Sequence, residues 1–195
     1  MTLKSLLTML VTVAVLALLV VGLVQLKGTP ASTPSTLTLG QMRARLTGSP
    51  PLLTGLHAQA NELLSGGLPA LHARLASLRG TPVVINKWAS WCAPCREESG
   101  AFQRVSVSRG RQVAFIGIDS EESSRGDALA FLRSFPVSYP SYYDPSGQLG
   151  IDITDSTFRP VTVFYNRRGQ IYIHQGPYLS VAKLEQDVKR YALDA

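Results

Sequence analysis

The chain has few residues of the kinds that hold metal ions. Its 195 residues include two cysteines and three histidines. The histidines are not paired at the spacing of metal ligands; they are His57, His72 and His174. A structural zinc ion needs four protein ligands, and a catalytic one needs three with water. The sequence therefore predicts no metal site, and we expect no other cofactor.

The chain also lacks a dense block of basic residues. Its formal net charge is +6, from 19 Lys and Arg against 13 Asp and Glu. The arginines are scattered and no aromatic stacking motif accompanies them, whereas nucleic-acid-binding proteins concentrate basic residues on one face. The composition therefore favours a solvated basic surface near an anionic membrane, and we expect no nucleic-acid partner.

Charged residues are absent from Leu6 to Leu26. As a helix about 31 Å long, this run would span a bilayer core. The run is longer than the apolar region of a secretory signal peptide, it has no clear small-residue cleavage site, and no cysteine directly follows it to carry a lipid. We predict an uncleaved single-pass membrane anchor over 1–27 and a flexible linker over 28–50. One globular domain should then occupy 51–195.

The two cysteines, Cys92 and Cys95, directly follow the apolar run Val83 to Trp88. At their spacing the thiols can close a disulfide with little backbone movement. If a helix begins at Cys92, its unpaired N–H groups stabilise a thiolate there. Cys92 is then the nucleophile and Cys95 the thiol that resolves the mixed disulfide. Trp91 before the pair and Pro94 within it favour this redox role over half of a zinc site or an inert bridge.

Charge does not decide which side of the membrane the domain faces. Lys4 precedes the apolar run, and Lys27 and Arg43 follow it. Thiols that face the cytosol are already kept reduced by soluble systems, so a tethered dithiol is most useful where disulfides form. We therefore expect the catalytic domain to lie outside the cytoplasm, anchored in the cytoplasmic membrane.

Apolar periodicity places the cysteine pair in an α/β fold. Val83 to Trp88 and Val113 to Ile118 are typical of buried parallel strands, with Cys92 to Val107 as the helix between them. Upstream, leucines at helical spacing predict a helix over 68–78, preceded by a helical stretch around Gln59 to Leu64. Downstream, the pattern predicts a helix, a hairpin and a closing helix over 128–135, 161–174 and 181–193.

The segment Asn86 to Glu98 resembles the active-site segment of thioredoxin-like proteins, and within them that of the membrane-anchored TlpA/ResA/DsbE type. A second block, Arg159 to Ile171, resembles the cis-proline loop and following hairpin of this family. The resemblance implies a thioredoxin-like α/β fold with a central mixed sheet flanked by helices, preceded by a single transmembrane helix. It also implies an insert between the second strand and the cis-proline loop, with Tyr139 to Asp144 as its strand. The opening hairpin of the family is not found, and 51–79 is predicted to be helical.

The same resemblance implies a surface that binds the client protein. Pro160 would follow a cis peptide bond, and the backbone of Arg159 would face Cys92 and pair with an extended client segment. We expect Trp91 and Pro94, beside the cysteines, to complete this surface.

The acceptor for the proton of Cys95 is less evident from the sequence. Thioredoxin has a buried acid on its active strand, and the corresponding residue here is Asn86, which cannot titrate. Glu98 lies on the same helix face as Cys95 and is the acceptor that the resemblance implies, although a surface glutamate is usually only solvated. We interpret Glu121 and Glu122, directly after the second strand, as solvated loop charges.

These observations predict an extracytoplasmic thiol:disulfide oxidoreductase that reduces protein disulfides and is reset by a membrane thiol electron donor. The resemblance implies apocytochrome c, during cytochrome c maturation, as a client. Three alternatives stay open: an oxidase that forms disulfides in exported proteins, a peroxiredoxin-like peroxidase, and a noncatalytic binding module. The direction of electron flow depends on the reduction potential, which Ala93 and Pro94 do not fix.

Overall fold

The computed structural model describes residues 37–195. Its elements are α1 (Leu39–Arg45), α2 (Pro51–Ala58), β1 (Leu63–Leu64), α3 (Gly67–Ser77), β2 (Val83–Trp88), α4 (Ala93–Arg109), β3 (Ala114–Ser120), α5 (Arg125–Ser134), β4 (Ser141–Asp144), α6 (Gln148–Thr154), β5 (Val161–Tyr165), β6 (Ile171–Gln175) and α7 (Val181–Asp187), followed by a π-helical segment (Val188–Ala192). The predicted membrane anchor over 1–27 lies outside the described residues. Among residues 37–195, no helix combines the length and the apolar character needed to cross a membrane.

The six strands form one mixed sheet in the order β1-β4-β3-β2-β5-β6. The first four strands in this order are parallel to one another, whereas β5 is antiparallel to both β2 and β6. Since parallel neighbours need a crossover connection, α4 joins β2 to β3. The predicted mixed α/β sheet is confirmed, and β2 lies inside it with every residue buried.

Side chains of β2 alternate between two apolar cores, one on each face of the sheet. Val84 and Trp88 belong to the core that α4, α5 and α7 cover, and Val83 and Ile85 to the core that α2, α3 and α6 cover. The same alternation directs Asn86 toward α4, the helix that carries the cysteines. The strand thereby delivers a polar group to the interior beside the redox pair.

Lys87, the next residue of β2, is fully buried on the opposite face. Its Nζ donates a hydrogen bond of 2.5 Å to the carbonyl oxygen of Ser156. Burial lowers the pKa of this ammonium group, with a smaller contribution in the same direction from Arg159. The hydrogen bond satisfies one of the donors that burial removes from water.

The N-terminal part of the domain differs from the sequence prediction. α1 lies inside the linker predicted over 28–50, so that prediction is wrong from residue 39 onward. The Thr38 hydroxyl accepts from the backbone N–H of Gln41 at 3.2 Å, and the Gln41 carboxamide oxygen accepts from the N–H of Thr38 at 2.9 Å. This capping box, together with the fully buried Met42, orders the helix and attaches it to the domain.

The helical stretch predicted around Gln59 to Leu64 is also wrong. α2 ends before this stretch begins. The last two residues of the stretch form β1, which pairs in parallel with β4. Asn61, in the left-handed region with φ of 66°, donates to the carbonyl of Leu132 and accepts from the N–H of Val137. These long-range hydrogen bonds outweigh the local helical preference.

The remaining predicted elements are confirmed with small shifts at their ends. The helix over 68–78 is α3, the strand over 113–118 is β3, and the helix over 128–135 is α5. The inserted strand is β4, and the predicted hairpin consists of β5 and β6. The closing helix over 181–193 is continuous in extent but changes from α- to π-helical geometry at Val188.

Candidate active site

Cys92 and Cys95 are joined by a disulfide at the first turn of α4. Cys92 is the N-cap of this helix, and its Sγ accepts from the N–H of Cys95 at 3.2 Å. Pro94 lies in the first helical turn, where the N–H that proline lacks has no partner within the helix. Both cysteines are buried, with 4% and 2% of their surface exposed. The predicted helix start is confirmed, and the N–H groups there favour a thiolate at Cys92 after reduction.

The turn between β2 and the disulfide is held by two charged side chains. The N–H of Cys92 donates to the carbonyl of Ala89 at 3.2 Å, which closes the turn. The N–H of Ser90 donates to Oε2 of Glu122 at 2.8 Å, and its carbonyl accepts from Nε and Nη2 of Arg96 at 3.0 and 2.6 Å. Glu122 is 1% exposed, so its interpretation as a solvated loop charge is wrong.

Trp91 connects the cysteine turn to the loop that precedes β5. Its side chain is exposed, and its indole N–H donates to the carbonyl of Glu121 at 3.0 Å. The guanidinium of Arg159 lies 4.7 Å from the centroid of the indole ring, a cation–π geometry. Arg159 also pairs with the Glu121 carboxylate at 2.5 Å, so Glu121 is not merely solvated as interpreted from the sequence.

The peptide bond between Arg159 and Pro160 is cis, which confirms the prediction from the resemblance. Pro160 directly precedes β5, whose first residue, Val161, pairs with Lys87 near the end of β2. The proline loop and the cysteine turn therefore lie at the same end of the sheet, where β2 ends and β5 begins. Within residues 37–195, no hydrogen bond engages the backbone of Arg159. The backbone polar groups of Arg159 therefore have no competing partner among these residues, and their pairing with a client segment stays a prediction.

Glu98 is buried on the same face of α4 as Cys95, with 1% of its surface exposed. Its Oε1 accepts from Nδ2 of Asn86 at 2.7 Å, and its Oε2 accepts from the N–H of Tyr178 at 3.1 Å. Burial raises the pKa of the Glu98 carboxyl to about 8, although both hydrogen bonds act in the opposite direction. The alternative of a solvated surface glutamate is therefore wrong.

A small, largely apolar cleft adjoins Cys95 and Asn86. Its other walls are mostly aromatic and aliphatic, formed by Trp88, Ser99, Phe102, Phe131, Leu132, Phe135, Val137 and Tyr139. The rings of Trp88 and Phe131 stack with centroids 4.6 Å apart. Because apolar surroundings disfavour the charged form of a thiol, Cys95 needs a proton acceptor before it can attack a disulfide.

Asp119 is a second buried carboxyl that the sequence analysis missed. It lies on β3 in register with Trp88 of β2, and its two oxygens have no hydrogen-bond partner among residues 37–195. Burial, followed by the charges of Glu122 and Asp144, raises the pKa of Asp119 to about 8, against the opposing charge of Arg125. Asp119 is therefore protonated at neutral pH. The sequence gives no sign of this protonation, because no local pattern marks an aspartate near the end of an apolar strand as buried without a partner.

Comparison with known proteins gives a family match over residues 67–172, to the AhpC/TSA family. The thioredoxin-like protein YneN of Bacillus subtilis is 28% identical over 118 residues, covering 59% of this chain and 66% of that protein. The thiol:disulfide interchange protein DsbE of Allochromatium vinosum is 38% identical over 76 residues, covering 38% of this chain and 40% of that protein. The chain thus spans between 40% and 66% of the length of these two relatives.

Solved structures share the fold. A secreted disulfide oxidoreductase of Mycobacterium tuberculosis, homologous to DsbE of E. coli, is 25% identical with a TM-score of 0.54, covering 59% of this chain and 85% of that one. A DsbF homologue from Corynebacterium diphtheriae is 26% identical with a TM-score of 0.54, covering 60% and 75%. The family match contains both cysteines and the cis-proline, and it extends over more than half of the sequence. This chain therefore belongs to the AhpC/TSA family of thioredoxin-like proteins.

Proposed function

We propose that the protein is a thiol:disulfide oxidoreductase of the DsbE type that reduces protein disulfides. One observation carries the proposal: the Cys92–Cys95 disulfide lies at the start of α4, at the same end of the sheet as the cis-Pro160 loop. A helix N-terminus stabilises the attacking thiolate, and an adjacent loop offers a place for an extended client. The names of the DsbE relatives support the same activity.

The reaction proceeds in two exchange steps. The Cys92 thiolate attacks one sulfur of the client disulfide, and the other client sulfur leaves as a thiolate. The Cys95 thiol then transfers its proton to Glu98 and attacks Sγ of Cys92, which releases the reduced client and forms the Cys92–Cys95 disulfide. A membrane thiol donor supplies two electrons and two protons to restore the dithiol.

We place the client on the exposed surface formed by Trp91, Pro94 and the Arg159–Pro160 loop. Trp91 is 53% exposed and Pro94 is also exposed, so both can contact a protein that approaches the disulfide. An extended client segment would pair with the backbone of Arg159, and its disulfide would then lie near Cys92.

Serine variants of the two cysteines test this function. Cys92→Ser should abolish reduction of insulin disulfides, because the attacking thiolate is lost. Cys95→Ser should instead accumulate a mixed disulfide with a disulfide-bonded peptide, because the second step cannot occur. Circular dichroism of both variants checks that they are folded. Insulin reduction that persists in Cys92→Ser contradicts Cys92 as the nucleophile, whereas a wild type that does not reduce insulin supports a noncatalytic binding module.

We propose that residues 1–27 anchor the protein in the cytoplasmic membrane and that the catalytic domain lies outside the cytoplasm. The uncharged run Leu6 to Leu26 supports the anchor. A reporter that is active only outside the cytoplasm, fused after Ala195, should be active. Activity of a cytoplasmic reporter at the same position would mean that the domain faces the cytoplasm and would contradict this topology.

We further propose apocytochrome c as a client, because its two haem-attachment thiols must be reduced before haem is joined. An oxidised Cys-X-X-Cys-His peptide should then be reduced faster than a disulfide peptide of the same length without this motif. Equal rates for the two peptides contradict this choice of client.

A peroxiredoxin-like peroxidase is the alternative within the same fold. The Cys92–Cys95 disulfide argues against it, since a peroxidatic cysteine would lack so near a partner. The reduced protein should react with hydrogen peroxide no faster than thioredoxin does. A much faster reaction would favour the peroxidase.

A further inference from the structure

We propose that Glu122 is a positioning residue for thiol–disulfide exchange, because its buried carboxylate holds Ser90 and so sets how Trp91 and Cys92 face a client. This inference rests on the proposed function and adds a residue outside the cysteine motif. Glu122 lies in the loop after β3, 32 positions along the chain from the residue it holds.

The contact between Glu122 and Ser90 is buried on both sides. Glu122 is 1% exposed and Ser90 is 6% exposed, and Oε2 lies 2.8 Å from the donating nitrogen. A buried N–H that loses its acceptor is destabilising, and a charged acceptor makes the bond stronger than a neutral one. The carbonyl of Ser90 is held in turn by the forked contact with Arg96 of α4. Both backbone polar groups of Ser90 therefore bind charged side chains from two different parts of the chain.

The neighbouring residues form a second, parallel contact. Trp91 donates its indole N–H to the carbonyl of Glu121. Ser90 and Trp91 of the cysteine turn are therefore both bound to the loop after β3, through Glu122 and Glu121. The loop that contains Glu121 is itself fixed to β4, since the N–H of Glu121 donates to the carbonyl of Asp144 at 2.8 Å. Tyr143 donates its hydroxyl to the carbonyl of Glu122 at 3.2 Å. The cysteine turn is thereby attached to a supported part of the sheet.

This attachment also determines the client-facing surface. The Trp91 ring carries the guanidinium of Arg159, and Arg159 pairs with the carboxylate of Glu121. A shift of Ser90 would move Trp91 relative to the proline loop and Cys92 relative to the client disulfide. Small displacements of reacting groups slow enzymatic reactions by up to about 100-fold.

Three substitutions at Glu122 separate its hydrogen bond from its charge. Glu122→Gln keeps an acceptor oxygen at the same reach without the charge. Glu122→Asp keeps the charge but withdraws it by one methylene, and Glu122→Ala removes both. We expect kcat/KM for insulin reduction to fall about tenfold in the Asp and Ala variants and to stay within about threefold of wild type in Gln. Glu97→Ala, which removes an exposed glutamate from α4, is the matched control and should have no effect.

Amide hydrogen exchange of Ser90, followed by NMR, reads the contact without reference to activity. Exchange should be at least about tenfold faster in Glu122→Asp and Glu122→Ala, and close to wild type in Glu122→Gln, while the amides of β2 keep their protection. An unchanged Ser90 exchange rate in the Asp variant contradicts the positioning role. A Gln variant that loses as much kcat/KM as Ala also contradicts it, because charge would then be the cause. Wild-type protein that fails to reduce insulin contradicts the proposed function instead, so the two failures are distinguishable.

Discussion

The carboxamide of Asn86 on β2 donates a hydrogen bond of 2.7 Å to the carboxylate of Glu98 on α4. By resemblance, Asn86 stands where thioredoxin has a buried acid, so here the titratable group lies on the helix instead of the strand. Asn86 stabilises the charged form of Glu98, whereas burial raises its pKa to about 8. This value lies close to the pKa of an unperturbed thiol, about 8.5, which supports the proposed transfer of a proton from Cys95 to Glu98.

The rate of the resolving step should therefore depend on Glu98. In the wild type, release of the reduced client from the mixed disulfide should speed up as pH rises through about 8, because Glu98 must lose its proton before it accepts another. Glu98→Gln should slow this step by about 100-fold. Stopped-flow measurement of the preformed mixed disulfide over pH 6 to 9 checks both statements. An unchanged pH profile in the variant counts against the relay.

A change at Asn86 provides the matched experiment for the same relay. Asn86→Asp places a second carboxyl beside Glu98, and a like charge nearby raises the pKa of a carboxyl. The midpoint of the pH profile should move upward, while Glu97→Gln on the exposed face of α4 should leave it in place. A midpoint that does not move would mean that the Asn86 contact has no influence on Glu98.

Glu98 and Asp119 should each make the oxidised protein less stable as pH rises from about 4 to about 8. The folded-state pKa values of Glu98 and Asp119 are both about 8, well above their ordinary values, so the folded state binds more protons than the unfolded state in this window. Each group can lower the free energy of unfolding by up to about 1.4 kcal/mol per pH unit. Asp119→Asn should therefore reduce the difference between the free energies of unfolding at pH 5 and at pH 8, measured with urea. A variant in which this difference equals that of the wild type contradicts the protonated state of Asp119.

The contact of Arg159 with Trp91 should appear as a coupling in stability. A partly exposed cation–π pair contributes about 0.5–1 kcal/mol, so the effects of Arg159→Met and Trp91→Ala should be non-additive by that amount. Urea unfolding of the two single variants and the double variant measures the coupling. Arg159→Met combined with Leu52→Ala, an exposed change on α2, should be additive. Additivity in both cycles contradicts the stack.

Two glycine substitutions test the packing of the domain. A Cβ at Gly117 on β3 would lie 2.1 Å from Oγ of Ser141 and 2.9 Å from Nε1 of Trp88, so Gly117→Ala should destabilise the protein by about 1–3 kcal/mol. Gly55, inside α2, has open space around its Cβ position, so Gly55→Ala should stabilise by about 0.5–1 kcal/mol. Thermal unfolding measures both changes. A neutral Gly117→Ala contradicts the placement of β4 beside β3.

The parts of the fold that the sequence predicts best are those with local signals. The uninterrupted apolar run of β2 and the cysteine pair after it define the strand and the start of α4, and both are confirmed. α1 and β1 were missed because long-range contacts decide them. The burial of Met42 orders α1, and the hydrogen bonds of Asn61 to Leu132 and Val137 help to place β1.

The residues of the site also differ in how well the sequence predicts them. Cys92, Cys95 and Pro160 stand in motifs of fixed spacing, so sequence resemblance finds them. The positions of Glu122 and Asp119 depend on which strands become neighbours, which no local pattern specifies. Their carboxyls are buried beside β3, which pairs with β2 on one side and with β4 on the other.

The reduction potential of the Cys92/Cys95 couple tests the proposed reductase most directly. Equilibration of the purified domain with defined mixtures of reduced and oxidised dithiothreitol, followed by thiol counting, gives the potential. We predict a single two-electron couple whose potential is more negative than that of glutathione, as a donor to client disulfides requires. A value near −120 mV, about that of the strong oxidant DsbA, would contradict a reductase and assign the protein to disulfide formation.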